Sequence, residues 1–277
     1  MRRMASALRA VTLALFAFIA FLPVYWMTLS AFRPNAVVMQ WPPAFLPDPA
    51  TFSLEAMRSL FADTPVVAWL STSLVVTVGS TLLTVFIATL AGYALSRSRS
   101  RLTGLAGYAI LIAKMLPGTL LIVPLYILFF RAGLLNGPQA IVAVILANCS
   151  FAVPFATWMM KAFFDGIPRE IEEAALIDGC SPLSAMVKTV LPAAAPALAA
   201  VTIYVFIVAW NDFLFARTFL PGGDTMTIAA ASTQFLGEVE MAWNKVMAVA
   251  LLAAAPVFVM FLILQRHFVA GLTGGHH

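Results

Sequence analysis

The sequence predicts an all-α integral membrane protein with six membrane-spanning helices, and three observations carry that expectation. Of the 277 residues, 62% are hydrophobic and only 10% charged, with a mean hydropathy of +0.96, beyond the range of a water-soluble globular domain. The apolar runs are continuous and reach the ~20 residues that cross a bilayer as a helix. They are not the alternating segments of about ten residues that build an outer-membrane barrel. The basic residues, finally, divide unevenly between alternate loops.

The runs place spans at about 8–30, 66–96, 105–130, 139–162, 193–217 and 246–265, in one membrane domain covering 1–277. The first follows the basic start of "MRRMASALRA", as in a signal peptide. No small-x-small cleavage site follows its apolar run, so an uncleaved helix is expected. Residues 31–65 form a loop that is first proline-rich ("WPPAFLPDP") and then amphipathic ("TFSLEAMRSLFADTP"), which predicts a short interfacial helix. The "SRSRSR" loop separates the second and third spans.

With the N-terminus inside, Arg2, Arg3, Arg9, Arg97, Arg99, Arg101, Lys161, Arg169, Lys188 and Arg266 are cytoplasmic, ten of the sixteen basic residues. Arg33, Arg58, Arg131, Arg217 and Lys245 fall outside, and Lys114 falls within a span. This asymmetry puts both termini in the cytoplasm. It also accounts for the net charge of +4 with no nucleic acid as partner.

Lys114 is the one basic residue well inside a span, where a charge costs about 2.5–3.5 kcal/mol on insertion scales, so it is expected to face protein or water. Pro117 and Gly118 follow closely and loosen the helix, freeing carbonyls as acceptors. Three readings stand: a residue lining a translocation cavity, a structural tie, or a side chain snorkelling to the interface. In the fourth span Asn148, Ser150 and Pro154 either hold helices together or line a cavity. Near the end of the fifth, Trp210, Asn211 and Asp212 serve as interfacial anchors and helix–helix hydrogen bonds, or as a gate touching substrate. Residues 218–244 are too polar for a span and long for a turn, which suits a contact role.

Energy and catalysis are not encoded in the chain. It has no Gly-x-x-x-x-Gly-Lys-Ser/Thr phosphate loop and no Ser/His/Asp or metal constellation. Cys149 lies in a span and Cys180 in a loop, which gives neither a disulfide framework nor a metal motif. His276 and His277, at the end of the sequence, receive no function.

The loop 163–192 is different in kind. Five of the twelve acids, Asp165, Glu170, Glu172, Glu173 and Asp178, fall within fourteen consecutive residues. Pro168 suits the first turn of a helix, and the glutamates that follow favour its N-terminal dipole. Ala174 and Ala175 are strong helix formers of little bulk, and Gly179 suits the left-handed residue that ends a helix. Ser181 and Pro182 then read as N-cap and first residue of a second helix running to Leu191–Pro192. Such a hinged pair with a small alanine face is either a solvated connector or a surface on which another protein docks.

The stretch "EEAALIDGCSPLSAMVKTVLP" resembles the EAA loop of the membrane subunits of bacterial ATP-driven, binding-protein-dependent importers. Glu173-Ala174-Ala175, Gly179 and Leu191-Pro192 keep its register, while Cys180, Met186 and Thr189 depart from it. "MLPGTLLIVPLYILFFRAGLLN" (Met115 to Asn136), "FIVAWNDFLFA" (Phe206 to Ala216) and "LILQRHFVAGLTGG" (Leu262 to Gly275) are similar to the carbohydrate-uptake branch, specifically the six-span partner in importers of maltose and glycerol-phosphate type.

The resemblance implies an ABC importer permease fold with a cytoplasmic coupling helix, in a bacterial plasma (inner) membrane. It implies an ATPase dimer, which binds the ATP and Mg, docked at Glu170, Glu173, Ala174, Ala175, Asp178, Gly179, Leu191 and Pro192. It further implies a second homologous permease sharing the pore, and a sugar-like substrate passing Lys114, Asn148, Trp210, Asn211 and Asp212. An extracytoplasmic binding protein would be met by Phe235, Gly237, Glu238, Glu240 and Trp243. Importers of amino acids, phosphate or peptides are the alternative branch.

Overall fold

The structure, a computed structural model, describes residues 2–98, 100–115, 117–236 and 241–273. Among them there is no strand; the only non-helical pairings are two isolated bridges, Gly222 with Thr225 and Leu236 with Met241. The chain divides into two compact units, Met1–Ala68 with Ala231–Pro256, and Trp69–Ala230 with Val257–His277.

The first unit opens with α1 (Arg2–Ala31), followed by the short α2 (Asn35–Val38) and by α3 (Glu55–Asp63). The amphipathic stretch thus folds as expected: α3 buries Ala56 and Leu60 and exposes Phe61. The loop before it is organised by Arg33, which is buried and donates to the carbonyls of Ala44 and Leu46. An arginine that caps carbonyls in this way satisfies its charge without an acid. The Tyr25 hydroxyl donates to the Phe45 carbonyl at 2.6 Å.

The second unit holds most of α4 (Val66–Arg97), then α5 (Arg101–Ala113), α6 (Gly118–Arg131) and α7 (Ala140–Asp165). There follow α8 (Arg169–Ile177), α9 (Pro182–Ala185), a π-helical turn (Met186–Val190) and α10 (Leu191–Ala193). After these come α11 (Ala195–Trp210), α12 (Leu214–Phe219) and α13 (Ile228–Ala231); α14 (Trp243–Thr273) ends the described chain.

The centre of this unit is α7, packed against α5, α6, α11 and α12. Its Ala152, Ala156, Met160 and Phe164 meet Ala88 of α4 and Ala197, Val201 and Val205 of α11 in a buried core. Small residues let backbones approach in lipid, where no hydrophobic force joins helices. A Cβ on Gly92 would lie 2.7 Å from Met160 Cβ and 2.9 Å from the Lys161 nitrogen, so α4 rides directly on α7.

Among the described residues four helices are long and apolar enough to cross a membrane, and two bent pairs, α5 with α6 and Pro182–Ala193 with α11, pass the same test when each is taken together. The expected span 105–130 is one such pair: α5 and α6 meet at 100°, with Pro117 extended ahead of α6. The expected span 193–217 is also interrupted, because α11 stops at Trp210 and α12 begins only at Leu214. Internal prolines such as Pro154 of α7 do not end their helices, so the first break goes with the extended backbone of Pro117 and the second with Asp212, which caps the turn that follows it.

Candidate functional site

In the segment 163–192 the local rules of helix capping are obeyed. Pro168 is extended (φ −55°, ψ 137°) and stands one residue before α8, so it is the cap rather than part of the first turn. Gly179 has φ +88°, the left-handed conformation that favours glycine. The N–H of Cys180 returns to the Ala175 carbonyl at 3.0 Å and that of Gly179 to Leu176 at 3.1 Å, closing the helix end. Ser181 caps α9 by accepting from the Ser184 N–H, with Pro182 in its first turn. The second helix is not the continuous one expected, since it passes through the π turn, where Leu191 N–H reaches back to the Met186 carbonyl.

Of the residues assigned to docking, Glu170, Glu173, Ala174, Asp178 and Gly179 are exposed, as is Pro192; Leu191 is half-buried. Ala175 is buried and belongs to the underside of α8. Beside them stand bare apolar side chains: Ile177 is 86% exposed and Leu183 65%. These two escape the sequence reading, although apolar residues spaced around a glycine turn in a polar loop are the signal that marks them. Met186 departs from the family pattern yet is buried, and Thr189 bonds back to the Ala185 carbonyl at 2.6 Å.

Glu172 does not share the exposed face. It pairs with Arg97 at 2.8 Å and accepts from the Tyr93 hydroxyl. The two partners lie more than seventy residues away in sequence, so no local pattern announces them.

The membrane-embedded candidates separate into distinct places. Lys114 donates to the Phe151 carbonyl at 3.1 Å, and its ammonium stands 4.1 Å from the centroid of the Phe151 ring. Its acceptor is therefore on α7, three residues before Pro154, and not in its own loosened helix around Pro117 and Gly118. Asp212 caps α12, accepting from the Phe215 N–H at 3.2 Å and the Ala216 N–H at 3.0 Å. Asn211 donates to the Ile207 carbonyl at 2.8 Å and closes α11. Trp210 is buried and stacks on Phe206 at 5.9 Å. These three residues thus make the break between two helices. Asn148 lies beside Asp212, buried, with an Nδ2 that makes no hydrogen bond of normal geometry.

A further polar feature is a stripe on α4: Ser73, Thr77, Ser80 and Thr84 are all buried. Their spacing of four, three and four residues puts them on one helix face, a period readable in the sequence and passed over there because the run is apolar overall. Ser73 Oγ accepts from the Ile228 N–H at 2.7 Å and donates to the Trp69 carbonyl at 2.8 Å. Thr84 meets Cys149 Sγ at 3.0 Å.

In the first unit Phe235 ends a 3-10 turn, and its carbonyl accepts from the Ala242 N–H at 3.3 Å. Leu236 pairs with Met241 just before Trp243 opens α14. Gly237, Glu238 and Glu240 lie outside the described residues. Among the described residues no group of three or more His, Cys, Asp or Glu could hold a metal.

A family model described as "Binding-protein-dependent transport system inner membrane component" matches residues 84–274, which include α7, the segment 163–192 and α11. The chain belongs to this family. It is 33% identical over 265 residues to the inner membrane ABC transporter permease protein YcjP of Escherichia coli (strain K12), covering 95% of this chain and 93% of that protein. It is 32% identical to the maltodextrin transport system permease protein MdxG of Bacillus subtilis (strain 168), covering 95% and 92%. A solved structure of a bacterial ABC transporter involved in the import of the acidic polysaccharide alginate contains a chain of the same fold. Its TM-score is 0.77 at 21% identity, with 96% of this chain and 97% of that one covered. As a member of this permease family the chain is a multi-pass inner-membrane subunit and not an enzyme.

Proposed function

We propose that this permease forms half of the translocation pore of a carbohydrate importer, and that 163–192 is the element through which a separate ATPase drives it. The observation that carries the reading is the exposed face of α8 and α9. A glycine-hinged helix pair presents Glu173, Ala174, Ile177 and Leu183 outward beside several carboxylates, a combination that suits a protein surface with an apolar pocket and a basic rim. The ATPase dimer would bind the ATP and Mg. Six spans follow if α5 with α6, and α11 with α12, each cross once, and the basic asymmetry then puts both termini and 163–192 in the cytoplasm.

The carbohydrate substrate is supported by relatives named for maltodextrin and for trehalose/maltose transport. A homologous second permease would complete the pore. The extracytoplasmic binding protein would engage the segment between Phe235 and Trp243. Lys114, with two N–H groups left beyond its bond to Phe151, and the break at Trp210–Asp212 with Asn148 beside it are the groups proposed to border the path. An ammonium there favours hydroxyl-rich or anionic sugars over cationic solutes.

The test is association. Glu173→Lys sets a like charge against a basic rim, and Gly179→Val forces a β-branched residue into the left-handed region at a strain of about 2 kcal/mol. Both variants are expected in the membrane at normal abundance with ATPase copurification reduced at least about tenfold. Normal copurification and uptake by both would refute docking at this face. Which sugar-loaded binding protein stimulates ATP hydrolysis by the purified complex then names the substrate.

A further inference from the structure

Glu172 and Glu173 are neighbours that point to opposite fates. Glu173 is exposed, whereas the side chains of Glu172 and its partner Arg97 are only 14% and 13% exposed. Both carboxylate oxygens of Glu172 are used, Oε2 by Arg97 Nε and Oε1 by the Tyr93 hydroxyl. Arg97 gives its other N–H groups to the Phe164 carbonyl at 3.1 Å and the Ile167 carbonyl at 3.4 Å, where α7 turns into α8. Arg169, at the start of α8, returns a bond to the Ser96 carbonyl at 3.0 Å. The Tyr93 ring stands edge-on to Phe164 with centroids 5.7 Å apart.

The need for these bonds follows from what else holds α8. Within the helix only Ala175 is buried, so apolar packing is slight. At either end the helix stops, at Pro168 and at the left-handed Gly179. A charge-assisted pair that engages both carboxylate oxygens fixes orientation as well as distance, which apolar contact does not. On the far side, Gly92 holds α4 against the backbone of α7 one residue before Tyr93.

We propose that Glu172 is a positioning residue: through Arg97 and Tyr93 it locks α8 to α4 and the end of α7, so that displacement of the docking face carries α4 with it. The inference rests on the reading of α8 as the docking helix. It explains why the acidic cluster is not uniform: Glu173 faces a partner, and Glu172 transmits what the partner does.

The experiment uses the assembled transporter with Cys149→Ala and Cys180→Ala, carrying spin labels at two exposed positions, Leu82→Cys on α4 and Ile171→Cys on α8. The distance between the labels is measured by pulsed electron resonance without nucleotide and with a non-hydrolysable ATP analogue. With the clamp intact, one distance is expected in both states. In Glu172→Gln and Arg97→Met the population at other distances is expected to rise about tenfold, with ATPase copurification retained. Arg97→Lys keeps the charge and restores most of the single population, and Tyr93→Phe shifts it about twofold.

A wild-type distance that changes with nucleotide overturns the proposal, as does a single unchanged distance in Glu172→Gln. Loss of ATPase copurification in Glu172→Gln also overturns it, because Glu172 would then belong to the docking rim. Failure of the docking reading appears separately, as normal copurification in Glu173→Lys.

Discussion

Helices α1 and α7 are equally apolar and are used in opposite ways. Their most apolar windows have mean hydropathies of 2.1 and 2.0, yet none of the α1 window is buried within the chain and half of the α7 window is. The difference does not lie in side-chain size, since α1 carries seven alanines and α7 six; it lies in the neighbours that the chain supplies. Along α7 the buried positions include Ala140, Ala143, Ala147, Ala152 and Ala156, which admit neighbouring helices closely. Along α1 the large apolar Leu8, Leu13, Phe16, Phe18 and Phe21 are exposed. Hydropathy reports the solvent a helix can enter; neither it nor a count of small residues reports what the helix packs against.

Three substitutions bear on that contrast, from the largest effect to the smallest. Gly92→Val drives a side chain into the Thr157–Lys161 backbone, whose atoms stand 2.9–3.0 Å from the new Cβ. Backbone cannot move aside as a side-chain end can, so a loss of about 3 kcal/mol is expected. It would be read as a lowered thermal midpoint of purified complex, and an unchanged midpoint would break the comparison. Ser73→Ala leaves the Ile228 N–H buried without its acceptor. The expected cost is about 1–2 kcal/mol, with faster amide exchange at Ile228 as its signature. Leu13→Ala trims an exposed position of α1, and a change under about 0.5 kcal/mol is expected in the thermal midpoint of the isolated chain. A large effect there would show that α1 packs within its own chain.

What was legible in the sequence was local. Gly179, Ser181 and Pro182 act within one turn of themselves, so their type announces their geometry, and the helix pair appears almost as expected. The long apolar helices were legible for the same reason, since twenty consecutive side chains agree. The breaks were not. Asp212 and Asn211 cap two helices inside a stretch whose flanks are apolar on both sides, and the hydropathy of the run conceals three residues. The partners of Glu172 and Lys114 were hidden by distance along the chain: Arg97 is 75 residues from Glu172, and Phe151 is 37 from Lys114. An acidic cluster in sequence looks uniform because only the fold decides which carboxylate turns inward.

The π turn at Met186–Val190 sets a rule about length. A turn closed from one residue to the fifth beyond it holds an additional residue relative to the α-helix, and each residue advances the winding by roughly 100°. Deleting one residue there would let the segment relax into regular helix, with backbone bonding improved. Because five residues there cover about the rotation that four cover in an α turn, the flanks would stay in phase, with Val190 still in the core. A deletion from the regular helix beside it would instead rotate one flank by about 100°. Between Gly179 and Pro192, then, the π turn is the one place where a residue can be lost without turning a face.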